Sequence, residues 1–259
     1  MFTGNPFAEL STHIPSVVAQ VYVVVMFILV VAGTLIDVIH KKSAKYFFED
    51  WEKSKSKGTR QVGSGEVMAM AVQTMASEVL TSSEFCSTRR RIAHLLTMYG
   101  FVIYLVATTI MVFGYPTPAS PTPVLWPLLW NLGALMVCIG GYWFWFFIRV
   151  DVTAEGYSPF RIVQADLFIL SLVASTTLAL LWSWLPTSII GWLFFGLYVL
   201  ATTILFGSIP WSKFAHMFFK PSAALQKRVA EAAGSRSNLP APADKPETFG
   251  SARGLPTNY

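Results

Sequence analysis

Five stretches of this chain are long and apolar enough to cross a membrane, and that limits its fold more than any other feature. A helix rises about 1.5 Å per residue, so about 20 apolar residues cover the roughly 30 Å of hydrocarbon in a bilayer. The windows Pro15–His40, Ile92–Phe113, Val124–Ile148, Ile162–Leu185 and Thr187–Ile209 meet that length without a central Lys or Arg. The expected fold is therefore all-α, an integral membrane bundle of five helices. Composition agrees, since 54% hydrophobic and 13% charged residues leave too little polar surface for a water-soluble globule. The first window has no basic residue ahead of it and ends in Asp37, His40, Lys41 and Lys42 rather than a small-residue cleavage site. It reads as a retained helix, not a signal peptide.

Charge sets the expected orientation. Met1–Ile39, Gly114–Pro123 and the turn at Pro186 contain no Lys or Arg, so all 19 basic residues fall in the other connections. By the positive-inside rule those connections face the cytoplasm, with the amino terminus outside and the carboxy terminus inside. The net charge of +5 then reflects topology and contact with anionic lipid headgroups, not nucleic acid. Trp126, Trp130, Trp182, Trp184 and Trp192 are expected at the outer interface and Trp143, Trp145 and Trp211 at the inner one, as an aromatic belt. Cys86 falls in a cytoplasmic connection and Cys138 inside the third helix, so no disulfide is expected.

The bundle occupies 15–221, preceded by an external segment 1–14 and followed by a tail 222–259. The outer link GYPTPASPTP is a spacer whose prolines cannot continue a helix, and the tight turn near Pro186 makes helices four and five antiparallel neighbours. The cytoplasmic connection 41–91 is longer than a bundle needs. Its first half mixes charge with Tyr46, Phe47, Phe48 and Trp51, as in a segment lying among headgroups. Its second half sets Met68, Val72, Met75 and Val79 on one face of a helix starting near Ser64. That face either lies on the bundle or docks another subunit. Ser222–Ala233 reads as a short helix, and the Pro-, Ala- and Ser-rich stretch after it as disordered.

Of the four histidines, His13 lies outside, while His40, His94 and His216 sit at cytoplasmic helix ends. Haem b needs two imidazoles from different helices at equal depth, a condition His94 and His216 meet. Arg89, Arg90, Arg91 and Lys213 are placed to pair with haem propionates. The alternative is that both histidines are interfacial and the arginines only a topology signal. Asp37 and His40, at i and i+3, suggest a quinone or proton site. Asp166 and Gln164 lie in the first turn of helix four, and Asp166 is a third candidate for the quinone pocket, although an acid there also complements the helix dipole or pairs with Arg149. The sequence has no HExxH, CxxC, Walker loop or GxGxxG, and no mid-membrane acidic cluster of the kind a pump uses. A transporter would have to rely on small hydroxyls such as Thr108, Thr109, Ser171, Ser175 and Thr176.

The stretches SSEFCSTRRRIAHLLTMYGFVIY at 82–104 and IPWSKFAHMFFKP at 209–221 resemble a family of five-helix cytochrome b subunits. That family includes the membrane subunits of nitrate reductase, heterodisulfide reductase and the quinone-interacting oxidoreductase of sulfate reducers. Within it the chain is most similar to the membrane anchors of dissimilatory adenylylsulfate reductase in sulfur oxidisers. The resemblance implies a haem site near each face, built by helices two and five. His94 and His216 match the inner pair, whereas the outer positions are Tyr104 and Tyr198, which make a poor axial pair. It therefore implies a subunit of the bacterial cytoplasmic membrane with one inner haem b. Such a subunit anchors cytoplasmic flavoprotein and iron–sulfur partners and relays their electrons to or from quinone. A cofactor-free scaffold is the competing expectation, and a small transporter a third.

Overall fold

The computed structural model describes residues 3–40, 43–82, 85, 87–149, 160, 162, 166–209 and 216–235. Cys86, Gln164, Trp211 and the tail from 236 onward lie outside them. Among the described residues the regular structure is entirely helical. Five helices are long and apolar enough to span a bilayer: α2 (Ser16–His40), α5 (Thr88–Gly114), α6 (Leu125–Trp143, prolonged by a wide π-turn to Ile148), α7 (Leu167–Trp184) and α8 (Ile189–Gly207). The chain is a multi-pass, all-α membrane protein. Shorter helices are α1 (Pro6–Leu10), α3 (Ser43–Ser56), α4 (Ser64–Thr74, widening into a π-turn over Met75–Leu80) and α9 (His216–Ala232). The fourth span begins at Leu167 rather than at the expected Ile162.

The spans form a ring. α5 packs along α6, α6 on α7 and α7 on α8, while α2 closes the gap between α8 and α5 with far fewer contacts. The tight α5–α6 seam follows from glycine. A Cβ on Gly100 would lie 2.8 Å from the Gly133 carbonyl oxygen, and one on Gly133 would lie 2.7 Å from the Gly100 oxygen. Lipid offers no hydrophobic drive for helices to associate, so small residues that let backbones approach supply the packing energy instead. α2 has no such seam. Polar contacts tie it to both neighbours, from Gln20 Nε2 to the Val112 carbonyl at 3.3 Å and from the Tyr22 hydroxyl to the Val199 carbonyl and the Thr203 hydroxyl, each at 3.0 Å.

The core lies in the half of the bundle away from the basic residues. Trp130 and Trp182 are fully buried there, and the rings of Tyr104 and Tyr198 stack on them at 5.2 and 5.8 Å. This corrects the belt expectation, because these tryptophans face inward and fill the bundle. Trp145 is likewise buried, under the Arg149 guanidinium at 4.2 Å. Trp184 is half-exposed.

The amino-terminal segment is more than an external strand of chain. Asn5 caps α1 by accepting from the amides of Phe7 and Ala8, and its side-chain amide donates to the Tyr115 carbonyl at 2.9 Å and the Thr122 hydroxyl at 3.0 Å. So anchored, α1 drives Phe7 edge-on into Trp130 and Trp182 at 5.7 and 5.4 Å. It plugs that end of the bundle.

At the basic end, α9 crosses the boundary expected between Pro221 and Ser222 and packs on α3 and α4. Arg228 bridges to Glu78 at 3.0 Å and donates to Ser77 at 2.8 Å. Gly234, at φ +73°, closes the helix with a left-handed turn, and the adjacent Ala233 carbonyl accepts from the Thr59 amide at 2.9 Å. The long connection and the carboxy-terminal helix therefore form one helical cap on the bundle.

Candidate functional site

His94 sits in the second turn of α5, where the cap meets the bundle. The turn leaving α4 is pinned to α5 by side chains along one stretch of that helix. Tyr99 donates its hydroxyl to the Leu80 carbonyl at 2.6 Å, and Arg91 Nε donates to the Thr81 carbonyl at 2.7 Å. Ser82 completes the turn, with its hydroxyl 3.1 Å from His94 Nδ1. Ser82 is 1% exposed and has φ +49°, a left-handed conformation that is uncommon for residues other than glycine. The surrounding bonds hold it there, and the same geometry fixes the plane of the His94 ring.

His94 also packs against Phe85, whose ring centre lies 5.0 Å away, and the Lys220 ammonium approaches the Phe85 ring at 5.6 Å. Lys220 is on α9, one turn beyond His216, the first residue of that helix. Phe85 thus links His94 to the first turns of the helix that starts at His216. The His216 side chain and Lys213 lie outside the described residues. The arrangement offers an imidazole held at Nδ1, an aromatic wall and a cation. In the tautomer that donates from Nδ1 to Ser82, the lone pair is on Nε2, the nitrogen a metal would take. Among the described residues no three His, Cys, Asp or Glu side chains converge as a metal-ion site.

The other expected residues are spread along the basic end. Arg89 and Arg90 are exposed, and Arg91 is engaged with the α4 turn. Asp37 is buried at 3% exposure on α2, whereas His40, in the same last turn, is exposed. Asp166 is held by both nitrogens of the Arg149 fork, with Nε donating at 2.7 Å, so the pairing with Arg149 is the one the structure makes. Of the Met face, Met68, Val72 and Met75 are exposed. Val79 is half-buried, and the π-turn meets α9 through Ser77 and Glu78, so three of the four residues of that face are left open.

Sequence reasoning did not single out Ser82, Phe85 or Lys220. Lys220 was readable, being one turn from His216 in a helical pattern. Ser82 was not, because its importance depends on a backbone angle that the residues around it do not announce.

Residues 52–237 match the family model described as CitB, Citrate utilization protein B. The chain belongs to the citrate utilization protein B family. No match was found among curated proteins or solved structures. The family match begins inside α3 and ends just beyond α9, so it takes in most of the cap, the His94 site and four spans but not α1 or α2.

Proposed function

We propose that this member of the citrate utilization protein B family is the membrane anchor and electron-transfer subunit of a redox enzyme. It links cytoplasmic flavoprotein and iron–sulfur subunits, those of adenylylsulfate reductase, to quinone in the bacterial cytoplasmic membrane. The observation that carries this reading is the braced imidazole of His94, joined through Phe85 and Lys220 to the helix that begins with His216. Paired imidazoles from α5 and α9 are the donor set of a haem b, and His94 and His216 would hold it. When bound, that group supplies reversible one-electron chemistry. Ser82 orients the ring of His94, and Lys220 brings a cation for a carboxylate at the rim, a role the sequence reading gave to Arg90, Arg91 and Lys213.

Further support comes from Tyr104 and Tyr198, whose hydroxyls lie 3.0 Å apart. These positions match the outer pair in the cytochrome b resemblance, and here they meet at equal depth, with aromatic rings packed around them. The exposed Met68, Val72 and Met75 stripe on the cap offers a soluble subunit an adaptable apolar surface. The family's description favours a second reading of the partner, an oxidoreductase of citrate use. Isolating the tagged chain with its bound subunits and adding quinone distinguishes these readings. Sulfite with AMP should drive quinone reduction if the first is right, and a citrate-type acid if the second is. Isolation without any redox protein would contradict both.

A further inference from the structure

A cavity of about 430 Å³ lies inside the ring, between α2, α5, α7 and α8. Its size is that of a small-molecule site, for which about 300–1,000 Å³ is usual. The walls are mostly aliphatic and aromatic, with α1 closing one end through Phe7 and Leu10. Across this apolar space runs a short row of hydroxyls from three helices. Tyr104 donates to Tyr198 at 3.0 Å, Thr202 neighbours Tyr198 one turn along α8, and Thr202 and Ser175 are 2.7 Å apart. Tyr22 adds a further hydroxyl from α2. Hydroxyls join helices at membrane depth, and here the row that does so also lines the cavity.

We propose that this cavity is a quinone chamber, in which the hydroxyl row of Tyr198, Thr202 and Ser175 receives the oxygens of the ring head while the isoprenoid body lies along the apolar wall of α2. This inference rests on the electron-transfer reading. It moves the quinone from the expected region of Asp37, His40 and Asp166 into the middle of the bundle. Two features of α2 fit the assignment. It is the most weakly packed span, so lipid-borne ligands reach the cavity along its flanks, and it borders the cavity along much of its length, from Val18 to Val30. Tyr198 accepts from Tyr104 and so keeps its own hydroxyl hydrogen for a carbonyl oxygen, and whichever of Ser175 and Thr202 accepts in their pair keeps one as well.

Photolabelling of the purified full-length chain with a short-tailed azido-quinone tests the proposal, with adducts mapped by mass spectrometry. The expected result is adducts on peptides holding Tyr22 and Thr202, suppressed by excess decyl-substituted quinone. Tyr198→Phe and Thr202→Val keep the shape of the walls, and each should weaken suppressible labelling about threefold to tenfold, the loss of one neutral hydrogen bond. Ser175→Leu, which fills the space, should abolish it. Suppressible adducts confined to peptides around Asp37, His40 or Asp166 would overturn the chamber and leave the electron-transfer reading standing. Labelling of the cavity that excess quinone does not reduce would mark a lipid-filled void and overturn the chamber. No suppressible adduct anywhere would overturn the chamber and count against the electron-transfer reading as well.

Discussion

Two polar constructions carry most of the consequence at the scale of single residues. Arg149 and Asp166 join the ends of α6 and α7 as a forked ion pair with side chains only 9% and 11% exposed. Removing one partner strands a buried charge, so Arg149→Ala should cost about 3–5 kcal/mol, whereas replacing both by apolar residues of similar size should cost far less. Thermal denaturation in detergent compares the two, and equal losses would show that the pair is not the cause. Ser82 is the second case, because its left-handed backbone and its bond to His94 can be separated. Ser82→Gly relaxes the backbone and should be more stable than Ser82→Ala by about 1 kcal/mol, while both lose the hydroxyl that holds His94. If His94 carries a haem, the two variants should share one altered absorption spectrum despite their different stabilities.

At the scale of elements, the α5–α6 seam and the free flank of α8 make opposite predictions for the same change. A Cβ on Gly100 meets Met136 Cβ at 2.7 Å and the Gly133 oxygen at 2.8 Å, so Gly100→Ala must push two backbones apart. Overpacking of this kind costs about 1–3 kcal/mol. A Cβ on Gly196 meets nothing within 4 Å, and Gly196→Ala should be neutral or gain up to about 1 kcal/mol from helix propensity. Melting temperatures of both variants in the same detergent decide it. The contrast shows what was legible in the sequence. The five spans were, because length and apolar content alone decide whether a helix crosses a bilayer. Their inward faces were not, because a span is apolar on all sides and periodicity then carries no signal. Trp130 and Trp182 went to an imagined belt for that reason, and the glycine seam passed unnoticed. The α4 helix shows the limit from the other side. Its Met face was legible by period, but its exposure was not, because that depends on how the segment seats on α9 through Ser77 and Glu78.

At the scale of the whole molecule, the protein is a ring of spans plugged at one end by α1 and capped at the other by α3, α4 and α9. The plug depends on Asn5, whose side chain caps α1 and reaches Tyr115 and Thr122. Asn5→Ala should loosen α1 by about 0.5–2 kcal/mol, seen as faster hydrogen exchange at the Phe7 and Ala8 amides with the spans unchanged. A helix of five residues is too short for periodicity to reveal, so the plug was not foreseen. The candidate site was half legible: His94 stood out as a histidine at a helix end, but the Ser82, Phe85 and Lys220 surroundings needed the fold. The function proposed here depends on a haem b shared by His94 and His216, and haem content per purified chain measures it directly by pyridine haemochrome absorption. About one haem per chain is expected, lost in His94→Ala and in His216→Ala but kept in the Tyr104→Phe and Tyr198→Phe variants. A chain that purifies folded with its redox partners and carries no haem, or keeps it after His94→Ala, would contradict the account.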